Sequence, residues 1–320
     1  MLHAELHRLS LNEPFRIAHG TSTERLVVRV REGDAQAEAP FVPYYGDSPE
    51  KTLAALQGLG TVADELPVDA PRAARLALDL LRHDLAARAQ GVPLWQHLKL
   101  PDPNGKPGCR SFSIPTDLAV FNERVAATAG QFRVLKLKLG SGNVEFDEAI
   151  VATAREAAPR AQLLADVNGG WSPREAARLL PRLARHDLTL VEQPVTHKEG
   201  LEPWRELQSL LPSQPLPLIA DESAQTAADV PGLSPFVDGI NVKLLKCASI
   251  SAALCMIETA RTHRLKVLLG CMIESSLGIT SAAHLAGCVD WIDLDGHLYV
   301  ANDDFVGLRY DSNGALRLAA

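Results

Sequence analysis

The sequence predicts an α/β chain: a parallel sheet of repeated strand–helix units preceded by a smaller N-terminal part. Three observations carry this expectation. From Cys109 onward, eight short apolar or β-branched runs recur about every 20 to 28 residues, with helical stretches between them. A Pro- and Gly-rich segment, Pro101 to Gly108, interrupts the chain just before the first run. Ionisable residues gather at the C-terminal ends of the runs, where a parallel barrel builds its site.

In the N-terminal part, Leu26 to Val30 is strand-like and Pro71 to Gln90 reads as a helix. Pro71 suits a first turn, Ala and Leu dominate, and Gly91 offers a left-handed stop. The composition of Pro101 to Gly108 marks a linker, and a domain boundary is placed there. The eight runs are Phe112–Ile114, Val134–Leu139, Gln162–Val167, Leu188–Glu192, Pro217–Asp221, Gly239–Lys243, Lys266–Leu269 and Trp291–Asp293. Between the third and fourth, Ser172, Pro173 and Glu175 combine an N-cap, a first-turn proline and a capping-box acid. Eight such runs can close into a barrel or lie in an open doubly wound sheet, and the placement of polar residues decides between them.

Composition narrows the function. The 320 residues are 46% hydrophobic and 22% charged, an ordinary globular mix. The net charge is −7 and no Lys/Arg stripe occurs, which argues against a nucleic-acid partner. No apolar run is long enough to span a bilayer, and Met1 to Arg8 lacks the apolar region of a secretory leader. No membrane association and a cytoplasmic location are therefore expected. Five cysteines without Cys-x-x-Cys spacing indicate neither a disulfide framework nor a cysteine–zinc site. Gly58 to Ala63 fits a dinucleotide fingerprint by letter, but no strand precedes it. Signatures of serine hydrolases, zinc proteases and P-loop NTPases do not occur. Of the ten histidines, only His19 is placed near the site.

The candidate chemistry lies in Lys136, Lys138, Asp166, Asn168, Glu192, Asp221, Lys243, Asp293 and Asp295. A single strand-end charge is usually just solvated, but six successive strand ends with ionisable groups make coincidence a poor account. Asp166, Glu192 and Asp221 come from three consecutive strands, and three adjacent carboxylates repel one another unless a cation lies between them. Hard oxygen ligands suit Mg²⁺. Glu222, by alternation along a strand, is expected on the other side. Lys136 and Lys138, two apart, share a face, with Leu135, Leu137 and Leu139 on the buried one. Lys243 arrives from across the barrel, so a substrate between would have a lysine on each face. Beside a cation and partly desolvated, such a lysine's pKa should fall, making it a usable base.

With these motifs, and with Val191-Glu-Gln-Pro194, Asp221-Glu-Ser223, Asn241-Val-Lys243, Gly270-Cys-Met272 and Asp293-Leu-Asp-Gly296, the chain resembles the enolase superfamily. Within it, the likeness is to the dipeptide epimerases of the muconate-lactonizing-enzyme subgroup. The resemblance implies a modified TIM barrel, (β/α)₇β, over residues 109–295, with an α+β capping domain from 1–108 completed by about 296–320. It implies Mg²⁺ on Asp166, Glu192 and Asp221, with Lys138 and Lys243 as the acid/base pair of a proton transfer that inverts one α-carbon. Lys136 is expected at the substrate carboxylate, Asp293 and Asp295 at a dipeptide's ammonium, and Ser111, Cys271 and Ile273 at further substrate contacts. The partner implied is a small dipeptide, and a homo-oligomer is compatible with such barrels.

Two departures stand out. Lys246 to Ser249 replaces a turn that often carries two glycines, and no arginine occupies the mobile loop position associated with an acidic second residue. Alternatives within the subgroup are o-succinylbenzoate synthase, N-succinylamino acid racemase and muconate cycloisomerase. Outside it stands a non-catalytic metal-binding barrel.

Overall fold

The computed structural model describes residues 1–42 and 45–318. Its N-terminal part is built on an antiparallel sheet of β1 (His3–Ile17), β2 (Gly20–Glu32) and β3 (Ala35–Pro40). Ile17 pairs with Gly20, so Ala18 and His19 form the tip of a long hairpin. Three helices follow: α1 (Pro49–Gln57), α2 (Arg72–Gln90) and α3 (Leu94–His97). α2 presents Ala73, Ala74, Leu76, Ala77, Leu80 and Leu81 to the interior, the spacing of one helical face. Pro71 stands at the N-cap position, one residue before the helix and without a side-chain cap, and Gly91 ends it at φ 65°, its N–H returning to the last carbonyls.

The larger part is one parallel sheet in chain order. Its strands are β4 (Cys109–Phe112), β5 (Val134–Lys138), β6 (Gln162–Asp166), β7 (Leu188–Glu192), β8 (Leu218–Ala220), β9 (Gly239–Val242), β10 (Lys266–Gly270) and β11 (Trp291–Asp293). The crossovers carry α4 (Leu118–Ala129), α5 (Val144–Ala157), α6 (Pro173–Leu183), α7 (Glu202–Leu210), α8 (Val230–Leu233), α9 (Leu244–Cys247), α10 (Ile250–Thr262) and α11 (Ser276–Ala283). α6 starts with the capping box expected from Ser172 and Glu175. The barrel and its antiparallel cap match the fold class read from the sequence. One strand lies elsewhere than expected: β4 is Cys109–Phe112, because it pairs with Val134–Leu137, while Ile114 has left the sheet and donates its N–H to Arg16 of the hairpin.

Alternation along the strands sorts the residues. Leu135, Leu137 and Leu139 are fully buried outward, against the helices. Inside, Cys109, Val134, Leu164, Leu190, Ile219 and Leu268 form an apolar plug. Two residues further along, the inward positions are Ser111, Lys136, Asp166, Glu192, Asp221 and Gly270, so a polar layer rests directly on the plug.

The cap is fastened over that layer. Glu38 of β3, with no exposed surface, accepts hydrogen bonds from Ser275 N (2.8 Å), Ser275 Oγ (2.7 Å) and Arg29 Nε (2.9 Å). Ser275 is the N-cap of α11, so one buried carboxylate ties cap sheet to barrel helix. A second apolar cluster, Leu9, Phe15, Val27, Ile273, Tyr299 and Val300, joins the hairpin to the segments after β10 and β11. Among the described residues, no helix is long and apolar enough to cross a membrane.

Candidate active site

Register builds the centre of the site. Lys138 pairs with Asp166 across β5 and β6, and Asp166 with Glu192 across β6 and β7, so three charged side chains stand in one inward row. Asp221 follows β8 directly. All three carboxylates are completely buried. Gln193, held at φ 39°, stitches the β7 and β8 ends together: its Oε1 accepts from Asp221 N (2.9 Å) and Ser223 N (3.1 Å). Glu192 is fixed by Asn241, whose Nδ2 donates to Oε1 at 2.7 Å. Gly270 makes room for that amide, since a Cβ there would stand 2.6 Å from Asn241 Oδ1.

Four ammonium groups lie among these acids. Lys138 Nζ is 2.5 Å from Asp166 Oδ2 and 3.3 Å from Asn168 Oδ1. Lys243 Nζ is 2.6 Å from Asp221 Oδ2. Lys246, whose side chain is fully buried, donates to Asp221 Oδ1 (2.7 Å), Asp221 O (2.8 Å) and Asn241 O (2.6 Å). Lys136, 1% exposed, meets Asp166 (3.0 Å), Glu192 (2.8 Å) and Asp293 (2.6 Å).

These neighbours set the protonation of the acids. Against its burial, Lys136 and Lys138 hold the Asp166 carboxyl down at about 2. Lys243 and Lys246 likewise outweigh burial at Asp221 and hold it well below the usual range. Burial and the charge of Asp166 push Glu192 up to about 8. Burial raises Glu222 to about 7, with Asp221 and Asp166 adding to it. The Lys136 ammonium, despite burial, is held well above its ordinary pKa by Asp166, Asp293 and Glu192.

A cavity opens above this centre. Lys138, Lys243, Asn168, Ser111, Asp293 and Asp295 line its polar side, and Phe15, Ile17, Val42, Met272, Ile273 and Tyr299 its apolar one. Cys271 is also at the wall, its thiol pushed well above the usual range by burial and by Asp293 and Asp295. Ser111 binds both acids of the β11 end: its Oγ is 3.0 Å from Asp293 Oδ1 and its N–H 2.6 Å from Asp295 Oδ2. β4 and β11, the two ends of the sheet, therefore meet through side chains.

The structure thus brings Lys138, Lys243, Ser111, Cys271, Ile273, Asp293 and Asp295 to one cavity. Lys136 is not among its lining residues; it lies beneath, engaged by three carboxylates. Glu222 departs from the alternation argument, because β8 ends at Ala220 and strand geometry no longer governs it. It is 2% exposed, accepts from Asn168 Nδ2 (3.1 Å) and lies 3.9 Å from His19 Nε2 at the hairpin tip. Arg110, Asn241, Lys246 and Tyr299 escaped the sequence reading as site residues. The Asn241-Val-Lys243 alternation could have marked Asn241 as inward.

Asp166, Glu192 and Asp221 form a hard-oxygen donor set of the kind a small divalent cation takes. Glu192 Oε2 accepts no aligned hydrogen bond although Lys136 Nζ stands 2.8 Å away. Among the described residues no three acidic, histidine or cysteine side chains converge on one point, since the ammonium groups lie between them. The donor chemistry fits Mg²⁺, with lysines competing for the same oxygens.

A capped parallel barrel with carboxylates and lysines at its strand ends defines a class, and the chain belongs to it: residues 118–316 match the enolase C-terminal domain-like family. Within that family it is similar to dipeptide epimerases. The hydrophobic dipeptide epimerase of Roseobacter litoralis is 38% identical over 240 residues, covering 74% of this chain and 68% of that protein. The L-Ala-D/L-Glu epimerase of Bacteroides thetaiotaomicron is 32% identical over 336 aligned positions, covering 98% and 84%. Among solved structures, an enolase family member from Agrobacterium tumefaciens with homology to dipeptide epimerases, with bound sodium and L-Ala-L-Glu, superposes with TM-score 0.88. The two are 30% identical, and the match covers 100% of this chain and 98% of that one. A dipeptide epimerase from Enterococcus faecalis complexed with Mg and L-Leu-L-Tyr gives TM-score 0.85 at 26% identity, covering 99% and 96%. The family resemblance read from the sequence is borne out, and these relatives are isomerases.

Proposed function

We propose that the chain is a Mg²⁺-dependent dipeptide epimerase that inverts the α-carbon of the C-terminal residue by proton transfer between Lys138 and Lys243. In this reading residues 109–295 form the catalytic barrel, and residues 1–108 with about 296–320 the cap. The observation that carries it is the charge lining one cavity: two lysines, Lys138 and Lys243, each held on a different carboxylate, together with a pair of aspartates, Asp293 and Asp295. A substrate with a carboxylate at one end and an ammonium at the other matches that polarity.

Asp166, Glu192 and Asp221 would hold Mg²⁺, which supplies charge that draws electron density from a substrate carboxylate and competes with the lysines for the same oxygens. Lys138 and Lys243 come from strand ends β5 and β9, separated by three strands, so they approach a bound α-carbon from different sides. One removes the α-proton and the other returns a proton to the opposite face, which inverts the centre. Lys136, locked among three acids, stays charged and supports the carboxylate end. The cap hairpin, through Phe15 and Ile17, covers the cavity and excludes water.

The test is incubation with Mg²⁺ and mixed L,L-dipeptides in D₂O, read by mass spectrometry as one-unit gains. Incorporation into a subset of dipeptides is expected, and Lys138→Ala and Lys243→Ala should each lose inversion by about a thousandfold or more. Folded, metal-loaded protein that labels no dipeptide overturns the reading; a lysine variant that still inverts the centre at the parent rate removes that lysine from it.

A further inference from the structure

Asp293 and Asp295 meet the cavity on different terms. Asp293 Oδ2 receives Lys136 at 2.6 Å. Asp295, 3% exposed, accepts from Ser111 N (2.6 Å), Ser111 Oγ (3.3 Å) and Arg110 Nη1 (3.1 Å). The Arg110 guanidinium lies over the Tyr299 ring, 4.2 Å from its centre, and the Tyr299 hydroxyl donates to the Ser111 carbonyl. Tyr299 in turn meets Phe15 edge-on, 4.7 Å between ring centres. Arg110 is thus held in place, yet it is not among the cavity's lining residues. Resting on the dipeptide reading, we infer that Arg110 is a positioning residue for the substrate's amino group, acting through Asp295.

Two carboxylates that share one serine hydroxyl repel each other. Burial raises the Asp295 carboxyl, and the charge of Asp293 adds to it; Arg110 and the Ser111 N–H pull the other way. Arg25 of β2 lines the same cavity, and the nearby lysines are engaged with other acids. Lys136 is taken up by Asp293, Asp166 and Glu192, and Lys138 bears on Asp293. Burial holds the Tyr299 and Tyr310 phenols and the Cys109 and Cys271 thiols well above their usual range, hence neutral. Among the described residues, Arg110 is the cation ion-paired with Asp295. It keeps that carboxylate charged and pointed, and an ionised carboxylate attracts an ammonium by ion pairing as well as by hydrogen bonding, which a protonated carboxyl does not.

The experiment compares the full-length parent with Arg110→Met and Arg110→Lys. For dipeptide epimerisation at pH 6, Arg110→Met should raise KM about tenfold or more while kcat stays within about twofold. The ratio of variant to parent KM should shrink as pH rises to 8.5, because Asp295 then regains its charge; taking the ratio cancels titration of the substrate's own amine. Arg110→Lys should recover most of the affinity. An unchanged KM, or equal losses in kcat and KM at every pH, overturns the proposal. If the parent epimerises no dipeptide, the functional reading fails on its own. Carbon-13 titration of the Asp295 carboxyl then still decides the Arg110 role: an upward move in Arg110→Met supports it, and identical titrations overturn it.

Discussion

At the scale of single residues, burial turns ordinary side chains into committed ones. Glu274, in the segment between β10 and α11, is pushed up to about 8 by burial, with the nearby Glu38 adding to it and the Met272 N–H and Lys243 opposing. A carboxyl raised in the fold stabilises it fully below about 4.5 and loses that contribution as pH rises through about 8. Glu274→Gln keeps the shape and cannot ionise. The variant should therefore match the parent near pH 5 and gain on it toward pH 8.5, by on the order of 1–3 kcal/mol in urea unfolding. A constant difference across that range would assign the charge elsewhere. The lysine at 246 teaches a complementary lesson about legibility. Lys136, Lys138 and Lys243 could be read from strand alternation, but Lys246 faces inward only because α9 coils immediately after β9, and a four-residue helix leaves no periodic pattern in the sequence.

At the scale of elements, the barrel strands were legible because each carries apolar residues on the outer face and a change from apolar to polar along the inner one. Seven of the eight expected runs coincide with strands to within two residues at either end; the first slipped because Phe112, Ser113 and Ile114 look as strand-like as Cys109 to Phe112, and the partner strand alone fixes the pairing. The long β1–β2 hairpin was visible only at Leu26 to Val30, since most of β1 alternates weakly and is half exposed. The turn after β9, Lys246 to Ser249, reaches a left-handed backbone without glycine. Ala248 takes a left-handed conformation at φ 61°, and Ser249 becomes the N-cap of α10, its Oγ accepting from Ala252 N at 3.1 Å. A left-handed alanine costs about 1 kcal/mol, so Ala248→Gly should raise stability by up to about 1 kcal/mol, less what the freer unfolded chain returns. Thermal unfolding checks this; a clear drop would mean the alanine methyl is needed in the packing.

At the scale of the whole molecule, the joint between cap and barrel is not a feature the sequence could reveal, because Glu38 and Ser275 are 237 positions apart. That joint rests on a buried ion pair. Glu38→Gln sets an amide N–H against groups that are themselves donors, and it leaves Arg29 with Asp304 alone. It should cost about 3 kcal/mol or more in urea unfolding, and a loss under 1 kcal/mol would show the cap to be held by its apolar contacts instead. Beneath this cap the barrel is blind at its far end. The plug of Cys109, Val134, Leu164, Leu190, Ile219 and Leu268 fills the axis below the charged layer, and among the described residues the cavity above that layer is walled in part by Phe15 and Ile17 of the hairpin. A molecule lodged there stands in the doorway and seals the room behind it. On the dipeptide reading, the two lysines would then trade their protons with solvent between visits rather than during one, so a single encounter would carry at most one solvent-derived hydrogen into the product.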